Sequence, residues 1–120
     1  MLNDEQIYRL LDIANAGCHK GFVSEARAIY DGVLTLKPGH VPALIGLALS
    51  HIVIGEFDQG EDSLRDILAK NPQDAEATAM LGLCLFLEGK KDEAREKLES
   101  IGSEHGGASA LAAALLEQLA

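Results

Sequence analysis

Residues 41–74 read VPALIGLALSHIVIGEFDQGEDSLRDILAKNPQD. Leu44, Leu47 and Ala48 fall on one helix face by the spacing of three and four. Gly55 can take the left-handed conformation that ends a helix. Pro72 cannot continue one, so it closes the segment. Two helices joined at a glycine are the expectation, over about 40–53 and 57–70.

The same design recurs on both sides with a period of 34 residues, in units of about 7–40, 41–74 and 75–108. The central glycine is Gly21, Gly55 and Gly89, and the closing proline is Pro38 and Pro72. The fourth position is Leu10, Leu44 and Thr78, the seventh Ile13, Leu47 and Leu81, and the eighth Ala14, Ala48 and Gly82. A small residue recurs at the twentieth (Ala26, Gly60, Ala94) and large ones at the twenty-fourth (Tyr30, Leu64, Leu98) and twenty-seventh (Val33, Ile67, Ile101). Small residues at positions eight and twenty let the paired helices come close. The period predicts further helices over about 4–18, 23–36, 74–87 and 91–101. Asn3 with Gln6 three residues later suggests a capping box at the first. The break at Ser103–Gly107 precedes an Ala/Leu-rich helix over about 108–120.

This pattern resembles the tetratricopeptide repeat, whose period is also about 34. The family prefers Trp at position four and Tyr at position eleven; here stand Leu10, Leu44 and Thr78, and Gly17, His51 and Leu85. The resemblance implies an all-α, right-handed α-solenoid in one domain over 1–120: three helix pairs and a C-terminal capping helix. First helices of the family line a concave groove. Its groove positions, carried over, give Tyr8, Leu11, Asn15 and Cys18; Pro42, Ile45, Leu49 and Ile52; and Glu76, Ala79, Leu83 and Phe86. The implied groove is mostly apolar, with Leu11, Ile45 and Ala79 where some relatives place cations that clamp an acidic tail. Such a groove suits an amphipathic helix carrying anchors at i, i+3, i+4 and i+7.

Composition narrows the partner. Nineteen acidic against ten basic residues give a net charge of −9. Phosphate backbones and anionic membranes repel such a surface, and no Lys/Arg cluster exceeds Lys90-Lys91, so neither nucleic acid nor membrane insertion is expected. Cys18 and Cys84 lie far apart without a CxxC pairing, and the N-terminus Met1–Glu5 is acidic rather than signal-like; a cytoplasmic location is the expectation. His19, His40, His51 and His105 complete no ligand spacing with cysteine or carboxylate, and Cys18-His19 are adjacent residues that diverge on a helix. No enzyme activity, metal or cofactor is expected.

A narrower resemblance rests on Leu10–Gly17 followed by Glu25-Ala26, on the length and on the acidic, three-unit plan. These are similar to the TPR chaperones of bacterial type III secretion, nearest the needle-subunit chaperone. That resemblance implies a cytosolic chaperone that holds the amphipathic helix of a needle-type subunit in its groove, alongside a small helical co-chaperone. A general TPR scaffold or adaptor and a self-associating homodimer are the alternative readings.

Overall fold

The computed structural model describes residues 1–120 as seven α-helices without strands. The chain packs into two compact units, Met1–Glu56 and Phe57–Ala120. The N-terminal unit holds α1 (Asp4–His19), α2 (Val23–Leu36) and α3 (Val41–Val53). The C-terminal unit holds α4 (Phe57–Lys70), α5 (Ala75–Leu87), α6 (Lys91–Glu99) and α7 (Gly107–Leu119). No helix is long and apolar enough to cross a membrane. The boundary between units falls inside the middle repeat. In an array each helix packs on its neighbour in the next repeat as well as on its own partner. Thus α2 packs on α3 and α4 on α5, across the two junctions between repeats.

Local chemistry sets the helix ends. Gln6 N donates to Asn3 Oδ1 at 2.8 Å and Asn3 N donates to Gln6 Oε1 at 2.9 Å, completing the expected capping box. α5 starts at Ala75 rather than 74, because Asp74 is its cap and accepts from Ala77 N at 2.9 Å. α6 stops at Glu99, short of the expected 101. There Ile101 N bonds to Leu98 O at 3.2 Å, a tighter i→i−3 turn that satisfies a terminal carbonyl.

The turn within each pair is built three times in the same way. Gly21, Gly55 and Gly89 have φ of +94°, +83° and +82°. The next residue's N–H reaches back five residues to a helix carbonyl: Phe22 to Gly17, Glu56 to His51 and Lys90 to Leu85, at 2.8–2.9 Å. This is the Schellman closure, and its left-handed residue is usually glycine.

Packing turns on small residues meeting large ones. In the N-terminal unit Tyr30 is fully buried, and a Cβ at Gly46 would lie 2.2 Å from its ring. Tyr30 Oη donates to Asn15 Oδ1 at 2.5 Å, which ties α2 to α1 and holds the ring in place. In the C-terminal unit a Cβ at Gly82 would lie 2.5 Å from Leu98 Cδ2. Sequence reasoning reached Gly82 through its eighth position but did not single out Gly46, which packs against the preceding repeat.

Gly46→Ala is expected to destabilise the chain by about 1–3 kcal/mol, because the ring has no alternative place. Gly32→Ala, in the exposed middle of α2 with open space around its Cα, is expected to stabilise by about 0.4–1 kcal/mol. Urea denaturation followed by far-UV circular dichroism measures both. Equal effects of the two substitutions would contradict the packing described.

Candidate functional site

First helices carry the residues expected to face a partner, and the structure divides those residues into two sets. Leu11, Ile45, Leu49, Ile52 and Ala79 are between 1% and 4% exposed, so they belong to the interior and have no free surface. Cys18 is equally buried. All three fifth-position residues (Leu11, Ile45, Ala79) fall in this set. Tyr8 is 53% exposed, and Asn15, Leu83 and Phe86 are half-buried. Pro42 is half-buried and Glu76 exposed. A helix clamped by neighbours on two sides keeps only a narrow stripe free, and a single sequence cannot say where the seam ends and the stripe begins.

In the N-terminal unit the open residue is Tyr8, whose ring centroid lies 6.2 Å from that of His40. His40 Nε2 is buried without a hydrogen-bond partner. Asn15 spends its carbonyl on Tyr30, and burial raises the Tyr30 phenol above its usual range. Across α2 and α3, Arg27 donates through Nε to Ser50 Oγ at 2.9 Å and through Nη2 to Glu56 Oε1 at 3.2 Å. His51 Nδ1 lies 2.9 Å from the same carboxylate. His51 and then Arg27 hold Glu56 below the ordinary carboxylate range by hydrogen bonding. The buried Ser50 hydroxyl donates to Leu47 O at 2.6 Å, so the group is closed on itself.

In the C-terminal unit, α7 packs on α5 and leaves a cleft of about 460 Å³ between them. Its lining includes Glu76, Ala79 and Met80 from α5, with His105, Ala108 and Leu111 from the other side. Leu83 and Phe86 lie farther along α5. The polar groups of this unit form a second clamp. Glu61 accepts from Arg65 Nε at 2.9 Å and from Lys90 Nζ at 3.0 Å, and Arg65 Nη2 donates to Glu93 at 2.6 Å. Lys90 Nζ also stands 3.0 Å from Glu88 Oε2. Hydrogen bonds, Arg65 first, hold the Glu61 carboxyl down at about 2, whereas burial raises that of Glu88. The Cys84 thiol is pushed up to about 12 by burial and faces Phe57 O at 3.4 Å, which makes it a poor nucleophile. No group of three His, Cys, Asp or Glu side chains is placed to hold a metal ion.

Sequence reasoning missed the outer face of α1. Ile13, at the seventh position, is 62% exposed, while the equivalent Leu81 is 1% exposed beneath α4. Phe22 is 55% exposed and its Cβ would sit 3.8 Å from a Cβ at Gly17; Leu10 is half-buried. The period gave the opposite signal, since it marks position seven as core.

The architecture is therefore that of an all-α helical-repeat protein with apolar residues left open on its first helices. Residues 45–101 match the tetratricopeptide repeat family. Those residues form tetratricopeptide repeats, and the whole chain has the all-α helical-repeat fold of such proteins. A curated relative, cellulose synthase operon protein C of Pseudomonas fluorescens (strain SBW25), is 30% identical over 100 residues, which are 83% of this chain. The chain spans only 8% of that relative's length. Among solved structures, the Sgt2 TPR domain of Aspergillus fumigatus superposes with a TM-score of 0.76 at 23% identity, over 98% of this chain and 78% of that one. The type III secretion translocator chaperone SycD of Yersinia enterocolitica gives 0.69 at 16%, over 99% and 86%. PcrH in complex with the chaperone binding region of PopD gives 0.65 at 18%, over 98% and 93%. At these identities the structures share the fold.

The Glu61 clamp carries a pH signature. Its folded-state carboxyl titrates below the unfolded value, so its stabilisation is present above about pH 4.5 and is lost as the pH falls toward 2. Wild-type stability, followed by urea denaturation, is expected to drop across that window. Glu61→Gln is expected to flatten the drop, and an unchanged slope would contradict the clamp.

Proposed function

We propose that the chain is a protein-interaction module that works as a cytoplasmic chaperone, holding an amphipathic helix of a secretion-system subunit against its first helices. Tyr8 and Asn15 are the candidate contact residues of the N-terminal unit, and Leu83 and Phe86 are those of the C-terminal unit, each unit taken by itself. The observation that carries this reading is the exposure of Tyr8 and the partial exposure of Leu83 and Phe86 at groove positions that the repeat otherwise fills with core. Structural likeness to SycD, a translocator chaperone, and to PcrH bound to a region of PopD supports the choice of a secretion partner. Two unpaired, buried cysteines suit a reducing compartment. The mechanism is mass action: a covered helix is withdrawn from premature assembly in proportion to its bound fraction. A small helical co-chaperone would find its place on the face of α1 where Ile13 and Phe22 are exposed and Leu10 is half-buried.

A second reading, a scaffold module within a larger assembly, is favoured by the likeness to one short stretch of cellulose synthase operon protein C. The two readings part on what the protein holds. Tagged full-length chain recovered from its native cytosol is expected to carry a small secreted helical subunit in near-equimolar amount. Recovery of a large assembly instead would favour the scaffold.

Tyr8→Ala combined with Leu83→Ala is expected to weaken partner binding by about ten- to a hundredfold, the range for losing two apolar anchors. Helix content by circular dichroism is expected to stay near wild type, because neither residue is fully buried. Titration calorimetry with the recovered partner measures the loss. Unchanged affinity would remove the first helices from the binding surface.

A further inference from the structure

The cleft between α5 and α7 joins apolar walls to a single carboxylate. Met80 and Leu111, both half-buried, supply the large walls, and Ala79 and Ala108 leave space between them. Its volume of about 460 Å³ admits one long side chain. Glu76 stands on the lining and is the sole charged residue of α5. Elsewhere the chain meets Glu56, Glu61 and Glu88 with an Arg or Lys of its own. No cation and no hydrogen bond acts on Glu76, and burial, followed by the charge of Asp74, raises its carboxyl above the ordinary range. Asp74 is itself engaged, accepting from Ala77 N at 2.9 Å. The helix dipole favours a carboxylate in the first turn of α5, but it would do so equally at a position with no hollow beside it.

We propose that this cleft receives a lysine or arginine side chain from the helix that the protein holds. An aliphatic stem ending in a cation has the form of the cleft: the methylenes lie along Met80 and Leu111, and the charged head meets Glu76. The incoming cation does for Glu76 what Arg27 does for Glu56 within the chain. His105 lines the same cleft, and its ring offers a flat surface on which a guanidinium can stack. The net charge of −9 draws a basic segment toward the chain and repels an acidic one. A carboxylate in place of the cation would meet Glu76 as a like charge, so the same residue that accepts one helix rejects another. All of these groups lie within the C-terminal unit. The inference rests on the reading of the first helices as the holding surface, and adds to it a charge requirement at one place on the held helix.

Nuclear magnetic resonance of the full chain with two small probes tests this. The probes are N-acetylarginine methylamide and its citrulline counterpart, which keeps the stem and lacks the charge. The arginine probe is expected to shift the amide resonances of Glu76, Ala79, Met80, Ala108 and Leu111. It is expected to bind about fivefold more tightly than the citrulline probe, the factor for one partly exposed ion pair. Glu76→Gln, at an exposed position, is expected to remove that difference. As a second readout on the unaltered chain, the Glu76 carboxyl carbon is followed through a pH titration. Saturating arginine probe is expected to lower its pKa, because an opposite charge favours the ionised form, and the citrulline probe is expected to leave it in place. Equal binding of the two probes would overturn the proposal and leave the cleft purely apolar. Absence of shifts at these residues up to the solubility limit of the arginine probe would also overturn it, as would arginine binding undiminished in Glu76→Gln. Neither probe contains a partner helix, so these failures leave the first-helix reading to its own calorimetric test.

Discussion

The Tyr30 ring occupies the space that a side chain at Gly46 would need, and Leu98 does the same at Gly82. Most else in the two units follows from these close approaches. With no Cβ in the way, the backbone of one helix meets a large side chain of the next at van der Waals distance. The glycine turns at Gly21, Gly55 and Gly89 bring each chain segment back at a constant angle, so the small residue and the large one meet in register. Dispersion contacts are individually weak and collectively large, and interiors packed like crystals punish an added methyl group. The pattern is therefore strict at positions eight, twenty and twenty-four, and loose at four and eleven.

Polar groups work at the margins of this packing. Arg27 with Ser50, His51 and Glu56 fastens α2 to α3, and Arg65 with Glu61, Glu93 and Lys90 fastens α4 to α6. Both clamps join second helices to elements that follow. Charge is uneven among the first helices: α1 carries Asp4, Glu5, Arg9 and Asp12. α3 carries no Asp, Glu, Lys or Arg, and α5 carries only Glu76.

Much of the fold was legible in the sequence, because a repeat states each structural rule three times. Helix existence, the capping box at Asn3 and the glycine turns follow from residue chemistry alone. Helix ends such as Glu99 do not, since they depend on how a terminal carbonyl is satisfied locally. The binding face was legible only in part. Family positions identify which helix turns toward the partner side, yet Leu11 and Tyr8 both lie on that side, and only packing separates a core residue from an exposed one. Ile13 and Phe22 were hidden for the opposite reason: the period marks position seven as core, yet Ile13 is exposed where its counterpart Leu81 is buried. Of the ion clamps only Glu61 with Arg65, four apart on α4, has a spacing that a sequence shows; residues such as Arg27 and Glu56 are brought together by helix packing.

The central claim is that first helices present the contact surface and second helices carry structure. Hydrogen–deuterium exchange of the chain alone and of its complex with the recovered partner tests it most directly. Protection gained on binding is expected in α1 and α5, at peptides spanning Tyr8–Asn15 and Leu83–Phe86, with α2, α4 and α6 unchanged. Protection confined to α2, α4 and α6 would contradict the account and place the partner on the opposite surface of the repeats.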